Sequence, residues 1–308
     1  MFRNTMPAYR PCAIVLLAMA GAVAGSAQYT QSTEQSAKGS VDSALTPKMV
    51  KTGLFVISGG GCNSILRLSA NGFILVDGKL PGNYEAILAL AKKLSYSEQP
   101  IRVLVNTDYQ ENHTGNNAEF IEEGTQILAH ENVKHNLTDY NPPGGKIVPP
   151  TITYDHDYTL RLGGVEVHLM HFGNAHTSGD SVVYFPNLKV VAVGDLFTPN
   201  TPNPDFAAGG SLVGWGPVRA EILKLDFDVV VPGTGPAVSR ADLEAFKTKI
   251  DTLVSRAAGL VKTGVPKDQL MARLKTDDLG WRFNFTEDRL EPFYAELSQA
   301  KYAPSENH

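Results

Sequence analysis

Short apolar runs alternate with turn residues along most of this chain, and the elements they predict come in a definite order. Strands begin at Leu54. Ser64 to Leu68 and Phe73 to Val76 flank Asn71-Gly72, whose residues both accept positive φ, so the spacing predicts a tight hairpin. Asn83 to Leu94 carries apolar residues at 87, 88, 90, 91 and 94, the period of an amphipathic helix. Arg102 to Val105 reads as a short buried strand, 114–123 as a helix, and Gln126 to Ala129 as another strand. After the Pro/Gly-rich loop 141–150, Tyr158 to Leu162 and Val165 to Met170 flank Gly163-Gly164. Ser181 to Phe185 and Lys189 to Val193 likewise flank Pro186-Asn187. Val218 to Leu225 reads as a helix and Asp228 to Val231 as a strand.

Ser239 and Asp242 form a capping-box-like pair at the start of a helical tail. Apolar residues at 243, 246, 250, 253, 254, 257, 260 and 261 make one stripe, stopped by Gly264 and Pro266. Two shorter helices, 267–275 and 286–299, finish the chain.

The first 27 residues carry a different pattern. Arg3 and Arg10 precede the apolar run Pro11 to Val23, and Gly25-Ser26-Ala27 offers a small-residue cleavage site. This predicts a signal peptide over 1–27 and a secreted or periplasmic mature protein. The run is shorter than the ~20 residues a spanning helix needs, so no stable membrane anchor is expected. Residues 28–47, rich in Gln, Ser, Thr and Ala, read as a flexible leader. A main domain over 48–238 and a helical extension over 239–308 follow.

Cleavage removes two Arg and no acid, leaving 25 basic against 32 acidic residues. Such a balance argues against a nucleic-acid partner, whose phosphates demand cationic contacts, and leaves a small-molecule substrate or ligand as the expected partner. Cys62 is the one remaining thiol, so no internal disulfide forms; it reads as a small buried hydrophobe.

Four strand ends carry the chemistry. Val105 leads into Asp108-Tyr109-Gln110-Glu111-Asn112-His113, and Met170 into Gly173 to Asp180 with His176 inside. Val193 leads into Gly194-Asp195, and Val231 into Pro232-Gly233-Thr234-Gly235. Ligand sites in α/β folds gather at strand ends, which predicts one shared cleft. The polar residues at 108, 110 and 112, followed by 113, have the spacing of the metal-binding loop H-x-H-x-D-H, with only the last His intact.

With Ala175-His176-Thr177, Gly179-Asp180, Gly194-Asp195 and Pro232-Gly233-x-Gly235, the chain from about 52 to 243 resembles the metallo-β-lactamase superfamily. Among its members it is similar to secreted bacterial proteins with degenerate metal motifs. The resemblance implies an α/β fold, a four-layer αββα sandwich of two similar halves, to which the C-terminal helices are added. It also implies two metal ions, usually zinc, and hydrolysis of esters, thioesters, amides or phosphodiesters. Carried over position by position, the first metal site falls at Asp108, Gln110 and His176. The second falls at Asn112, His113 and Thr234, and the bridging carboxylate at Asp195.

His113, His176 and Asp195 match that pattern; Asp108, Gln110, Asn112 and Thr234 depart from it. Asp108 still ligates, with harder oxygen character than imidazole. The neutral oxygens of Gln110 and Asn112 are weak ligands, and the Thr234 hydroxyl is a poor one. With four of seven positions exchanged, two-metal catalysis is not expected. One ion (zinc, or iron or manganese) held by Asp108, His113, His176 and Asp195, with Gln110 as a further donor, is the reading that retains hydrolysis. The alternative is an inactive member whose cleft binds a small ligand or partner without metal. Asn112 occupies the position of the family's water-orienting Asp but takes no proton, and its neighbour Glu111 is the nearest carboxylate in sequence.

The remaining residues have plainer expectations. Asp77 and Asp180 buttress loops through hydrogen bonds. His171 is a satisfied structural residue, and His130, His135, His156 and His168 lie on the surface. Gly59-Gly60-Gly61 is a turn, because no Lys-Ser/Thr follows it.

Overall fold

The computed structural model describes residues 44–281, 283 and 285–300. The segment 1–27 and most of the leader lie outside the described residues. Thirteen strands among those residues form two mixed sheets. The first runs β1 (Thr46–Lys51), β2 (Leu54–Ser58), β3 (Ser64–Ser69), β4 (Gly72–Val76), β5 (Ile101–Val105), β6 (Gln126–His130) and β7 (Ile152–Tyr154) in spatial order. Strands β1 to β4 pair antiparallel, and β4 to β7 parallel. The second sheet contains β8 (Asp157–Leu162), β9 (Val165–Met170), β10 (Val182–Phe185), β11 (Val190–Gly194), β12 (Val229–Pro232) and β13 (Val238–Ser239), in the order 13-12-11-10-9-8. All its pairs are antiparallel except β11 with β12.

The alternation of side chains along each strand builds the layers. In β4, Ile74 and Val76 face the second sheet and pack with Val167, Leu169, Val183 and Val190. Its other face, Phe73 and Leu75, packs with Ile87 and Ala91 of α1 (Tyr84–Ser95) and Phe120 of α3 (Asn117–Glu122). On the second sheet, Val182, Val191 and Val230 turn outward to meet α5 (Trp215–Ile222) and α6 (Arg240–Lys262). Helix, sheet, sheet and helix thus stack in the expected four-layer order, with the C-terminal helices on the outer face of the second sheet.

The stripe on α6 buries Leu243, Phe246, Ile250, Leu253, Ala257 and Val261, and each large member contributes about 1.5–3 kcal/mol by leaving water. The Ser239–Asp242 capping box is formed as expected. Helices α7 (Lys267–Arg273) and α8 (Glu287–Ala300) complete the extension. Among the described residues no helix is long and apolar enough to cross a membrane.

Several boundaries differ from the sequence expectation. Thr46 and Pro47 belong to β1, paired with Ser58 and Ile57, so the leader ends earlier than residue 47. Polar Thr46, Lys48 and Lys51 hide this strand because it lies at a sheet edge, where apolar alternation is not required. The helix expected from residue 114 starts at Glu111 as α2 (Glu111–Thr114) and breaks at Gly115-Asn116 before α3. His130 is not a surface residue. It is 3% exposed, and its Nδ1 accepts from Asn132 N as the N-cap of α4 (Glu131–Asn136).

Candidate metal centre

The C-terminal ends of β4, β5, β9, β11 and β12 open on the same edge of the sandwich. Two backbone bonds hold the sheets together there: Ser181 N donates to Thr107 O at 2.7 Å, and Asn63 N to Gly233 O at 2.6 Å. Asp77, just past β4, adopts φ 63°, a left-handed conformation that Asp tolerates better than most residues. The residue is 3% exposed, and its carboxylate accepts from Thr107 N (2.8 Å) and Thr107 Oγ1 (2.8 Å). His113 Nδ1 lies 3.1 Å from both Asp77 Oδ2 and Thr107 Oγ1. Thr107 has one hydroxyl proton, and it is committed to Asp77, so toward His113 the hydroxyl accepts. The proton therefore sits on Nδ1, and Nε2 faces the cleft as the ligating nitrogen.

Around that Nε2 the acidic side chains converge. Asp108 Oδ2 is 3.3 Å away and Asp195 Oδ2 is 3.6 Å away. His176 Nδ1 approaches the same Asp108 Oδ2 at 3.6 Å. Asp108 Oδ2, His113 Nε2 and His176 Nδ1 are all buried without a hydrogen-bond partner. Buried polar atoms are normally paired, so three unpaired ligand atoms lying close together mark a place for a ligand they share. Two neighbouring clusters, Cys62–Asp77–His113 and Asp108–His176–Asp180, also bring ligand atoms together. Their outer members are already satisfied: Cys62 Sγ donates to Asn112 O (2.8 Å), and Asp180 accepts from Thr177 N (2.9 Å) and Thr177 Oγ1 (2.7 Å). The third cluster, Asp108–His113–Asp195, keeps unpaired ligand atoms, and His176 adjoins it through Asp108 Oδ2.

Electrostatics at the group favours a cation. Burial alone would lower the pKa of His113, yet the negative charges of Asp108 first, then of Asp77 and Asp195, raise it well above the ordinary value. Burial is likewise outweighed at His176, where Asp180, Asp195 and Asp108 raise the pKa to about 9. Burial lifts Asp108 to about 7 against the pull of both imidazoles. At Asp195 burial is opposed by His113 and His176, which bring it to about 2. Asp195 is also the member open to solvent, with 24% of its side chain exposed.

The other sequence candidates lie as follows. Gln110 donates from Nε2 to Asp205 Oδ2 at 3.3 Å. Glu111 Oε1 accepts from Gly144 N at 2.7 Å, which turns the carboxylate toward the 141–150 loop. Asn112 is half-buried beside Gly61, and Thr234 is exposed. Asp77 and Asp180 buttress their loops as expected, and His171 Nδ1 is satisfied by Asp180 O at 2.9 Å.

Sequence reasoning missed Thr107, whose hydroxyl sets the His113 tautomer. It also missed Asp205, which accepts from Tyr109 OH at 2.6 Å and ties the 196–214 loop to the metal loop. A third omission is Lys79. It is fully buried, and its ammonium donates to the carbonyls of Ile57 (2.9 Å), Gly59 (2.7 Å) and Cys62 (2.7 Å). Only its place two residues beyond Asp77 could have drawn attention to it.

The sequence model of the metallo-β-lactamase superfamily matches residues 57–234. The alpha subunit of 2,4-dinitroanisole O-demethylase from Nocardioides sp. (strain JS1661) is 27% identical over 229 residues, covering 73% of this chain and 68% of that protein. A metallo-β-lactamase from Pontibacter korlensis superposes with a TM-score of 0.59 at 20% identity, over 67% of this chain and 99% of its own. The metallo-β-lactamase FIM-1 from Pseudomonas aeruginosa, in its mono-zinc form, gives 0.58 at 18% identity, over 70% and 98%. At these identities the solved structures share the fold.

Proposed function

The chain belongs to the metallo-β-lactamase superfamily, and from that premise we propose that it is a secreted or periplasmic hydrolase working with one metal ion. The observation that carries the reading is the convergence of three buried, unpaired ligand atoms: Asp108 Oδ2, His113 Nε2 and His176 Nδ1. Asp195 completes the group. Two imidazoles and two carboxylates suit zinc, and the oxygen-rich half of the set equally suits iron or manganese. When bound, the ion supplies Lewis-acid polarisation of a carbonyl and acidification of water.

The chain's own residues do the rest. Asp77 and Thr107 hold the His113 ring and its tautomer, and Asp180 braces the His176 loop. The Asn112 amide accepts no proton and Glu111 is turned to Gly144, so Asp195 is the ionised carboxylate of the group that faces solvent. We assign it the approach of the substrate and its water. Candidate substrates are small esters, thioesters and amides. The relative named as a 2,4-dinitroanisole O-demethylase subunit adds activated aryl ethers to those worth assaying.

The test is metal analysis of protein purified from the periplasm without added metal or chelator. About one ion per chain is expected, lost in His176→Ala and Asp195→Ala. A metal-free protein that gains no thermal stability from zinc, iron(II) or manganese would sink this reading in favour of a metal-free binding cleft.

A further inference from the structure

Asp195 sits in a tight turn closed by Leu196 N donating to Val193 O at 3.0 Å. The carbonyls on both sides of it are engaged. Gly194 O accepts from Gly233 N at 2.7 Å. Leu196 O accepts from Trp215 Nε1 at 2.7 Å and also from Arg219 Nη2. Both donors come from α5, outside the strand-end loops that carry the ligands.

Arg219 is unusual in its own right. It is fully buried, yet Nε and Nη1 have no hydrogen-bond partner. A buried charge with unpaired N–H groups is costly, so its place needs a reason beyond packing. Its guanidinium carbon lies 4.0 Å from the ring centroid of Phe246 and 5.2 Å from that of Trp215. Two aromatic faces thus hold the cation in place of water. Phe246 belongs to α6, which begins beyond residue 234, where the superfamily match ends.

We propose that Arg219 and Trp215 are positioning residues for Asp195, and that the C-terminal extension supports the metal centre by clamping Arg219 through Phe246. This rests on the metal reading above. Two donors on the Leu196 carbonyl and one on the Gly194 carbonyl fix the backbone on both sides of the ligand. The carboxylate is then presented to His113 and Asp108 without freedom to swing away. A residue that orients a ligand in this way typically changes metal affinity by about 10–100-fold when removed.

The experiment is cobalt(II) titration of the full chain after chelator stripping, followed by calorimetry and by the visible d–d absorption of the bound ion. Wild type, Arg219→Met, Arg219→Lys, Trp215→Phe and Phe246→Ala are compared, with the metal-free thermal midpoint of each recorded. Arg219→Met should bind cobalt about tenfold more weakly or worse, with a shifted d–d band reporting altered coordination. Arg219→Lys, which keeps one N–H donor, should restore most of the affinity and the original band. Phe246→Ala should fall between them. Trp215→Phe keeps the ring and deletes one donor. It provides the reading if Arg219→Met fails to fold, and should also weaken binding and shift the band. An unchanged cobalt affinity and spectrum in folded Arg219→Met or Trp215→Phe, even with a lower thermal midpoint, would overturn the proposal. A wild-type protein that takes up no cobalt removes the metal reading itself, and this inference with it.

Discussion

Asp77→Ala tests the support of the centre most directly. The Asp77 carboxylate accepts from Thr107 N and Thr107 Oγ1 at 2.8 Å each and lies 3.1 Å from His113 Nδ1, all in the interior. Its removal strands the Thr107 amide and releases the Thr107 hydroxyl proton, which then competes with Nδ1–H of His113. Each buried donor left unpaired costs about 1–3 kcal/mol. The φ of 63° adds a second penalty, because a left-handed Ala costs about 1–2 kcal/mol. The total is about 3–8 kcal/mol, a large part of the roughly 5–15 kcal/mol that holds a typical domain folded. Asp77→Asn keeps an acceptor for the Thr107 amide and tolerates the backbone, so its loss should be about 1–2 kcal/mol. Urea unfolding of both variants, stripped of metal by chelator, gives the comparison. A loss under about 1 kcal/mol for Asp77→Ala would refute the claim that this carboxylate is the keystone of the His113 mount.

Other perturbations follow from single contacts. A Cβ at Gly233 would lie 1.9 Å from Asp195 Oδ1, so Gly233→Ala should displace that carboxylate and lower metal content in a folded protein, read by metal analysis beside circular dichroism. His130 is buried against His171 at a ring separation of 3.8 Å, and burial first, then the His171 charge, lower its pKa to about 4. The unfolded chain then binds more protons between about pH 6.5 and 4, so this contribution is complete above that window and is lost as pH falls through it. The loss is about 2–3 kcal/mol, and His130→Asn, which retains a capping side chain, should flatten the thermal midpoint between pH 7 and pH 4.5. Lys79→Met strips the partner from three carbonyls and should cost about 2–4 kcal/mol while speeding proteolysis at 59–61, measured by urea unfolding and limited digestion.

Much of the fold was legible because its signals are local. Gly163-Gly164 and the Ser239–Asp242 box form as specified, and Asn71-Gly72 marks a hairpin whose turn falls one residue earlier, at Ala70-Asn71, with Ser69 paired to Gly72 at the start of β4. The strand ends that carry Asp108, His113, His176 and Asp195 were found by the same means, because apolar runs mark where strands stop. What stayed hidden depends on distant partners. His130 looks like any surface His until Asn132 and His171 close around it. Arg219 reads as an ordinary helix residue until Phe246, 27 positions later, covers it. Glu111 sits beside Asn112 in sequence, yet the helix that begins at Glu111 points its carboxylate at Gly144. Proximity along the chain is a poor guide to direction once a helix turn intervenes, since consecutive residues face about 100° apart.

Charge balance accounts for the coherence of this carboxylate and imidazole cluster. Asp108 lies 3.3 Å from His113 and 3.6 Å from His176, and Asp195 lies 3.6 Å from His113. A divalent cation among them gives a neutral group if both imidazoles are unprotonated; two extra protons on those imidazoles give the same neutrality. The raised pKa values of His113 and His176 express that second arrangement. Metal and protons therefore compete for the same nitrogens, and metal affinity must rise with pH as those protons become easier to displace. The buried Asp108 carboxylate adds attraction for an ion and for the protons alike. What then favours the ion is geometry, because the Nδ1 proton of His113 is held by Thr107 and Asp77 on one side while Nε2 is aimed into the group on the other. The support residues, more than the ligands themselves, decide whether this cleft is a metal site.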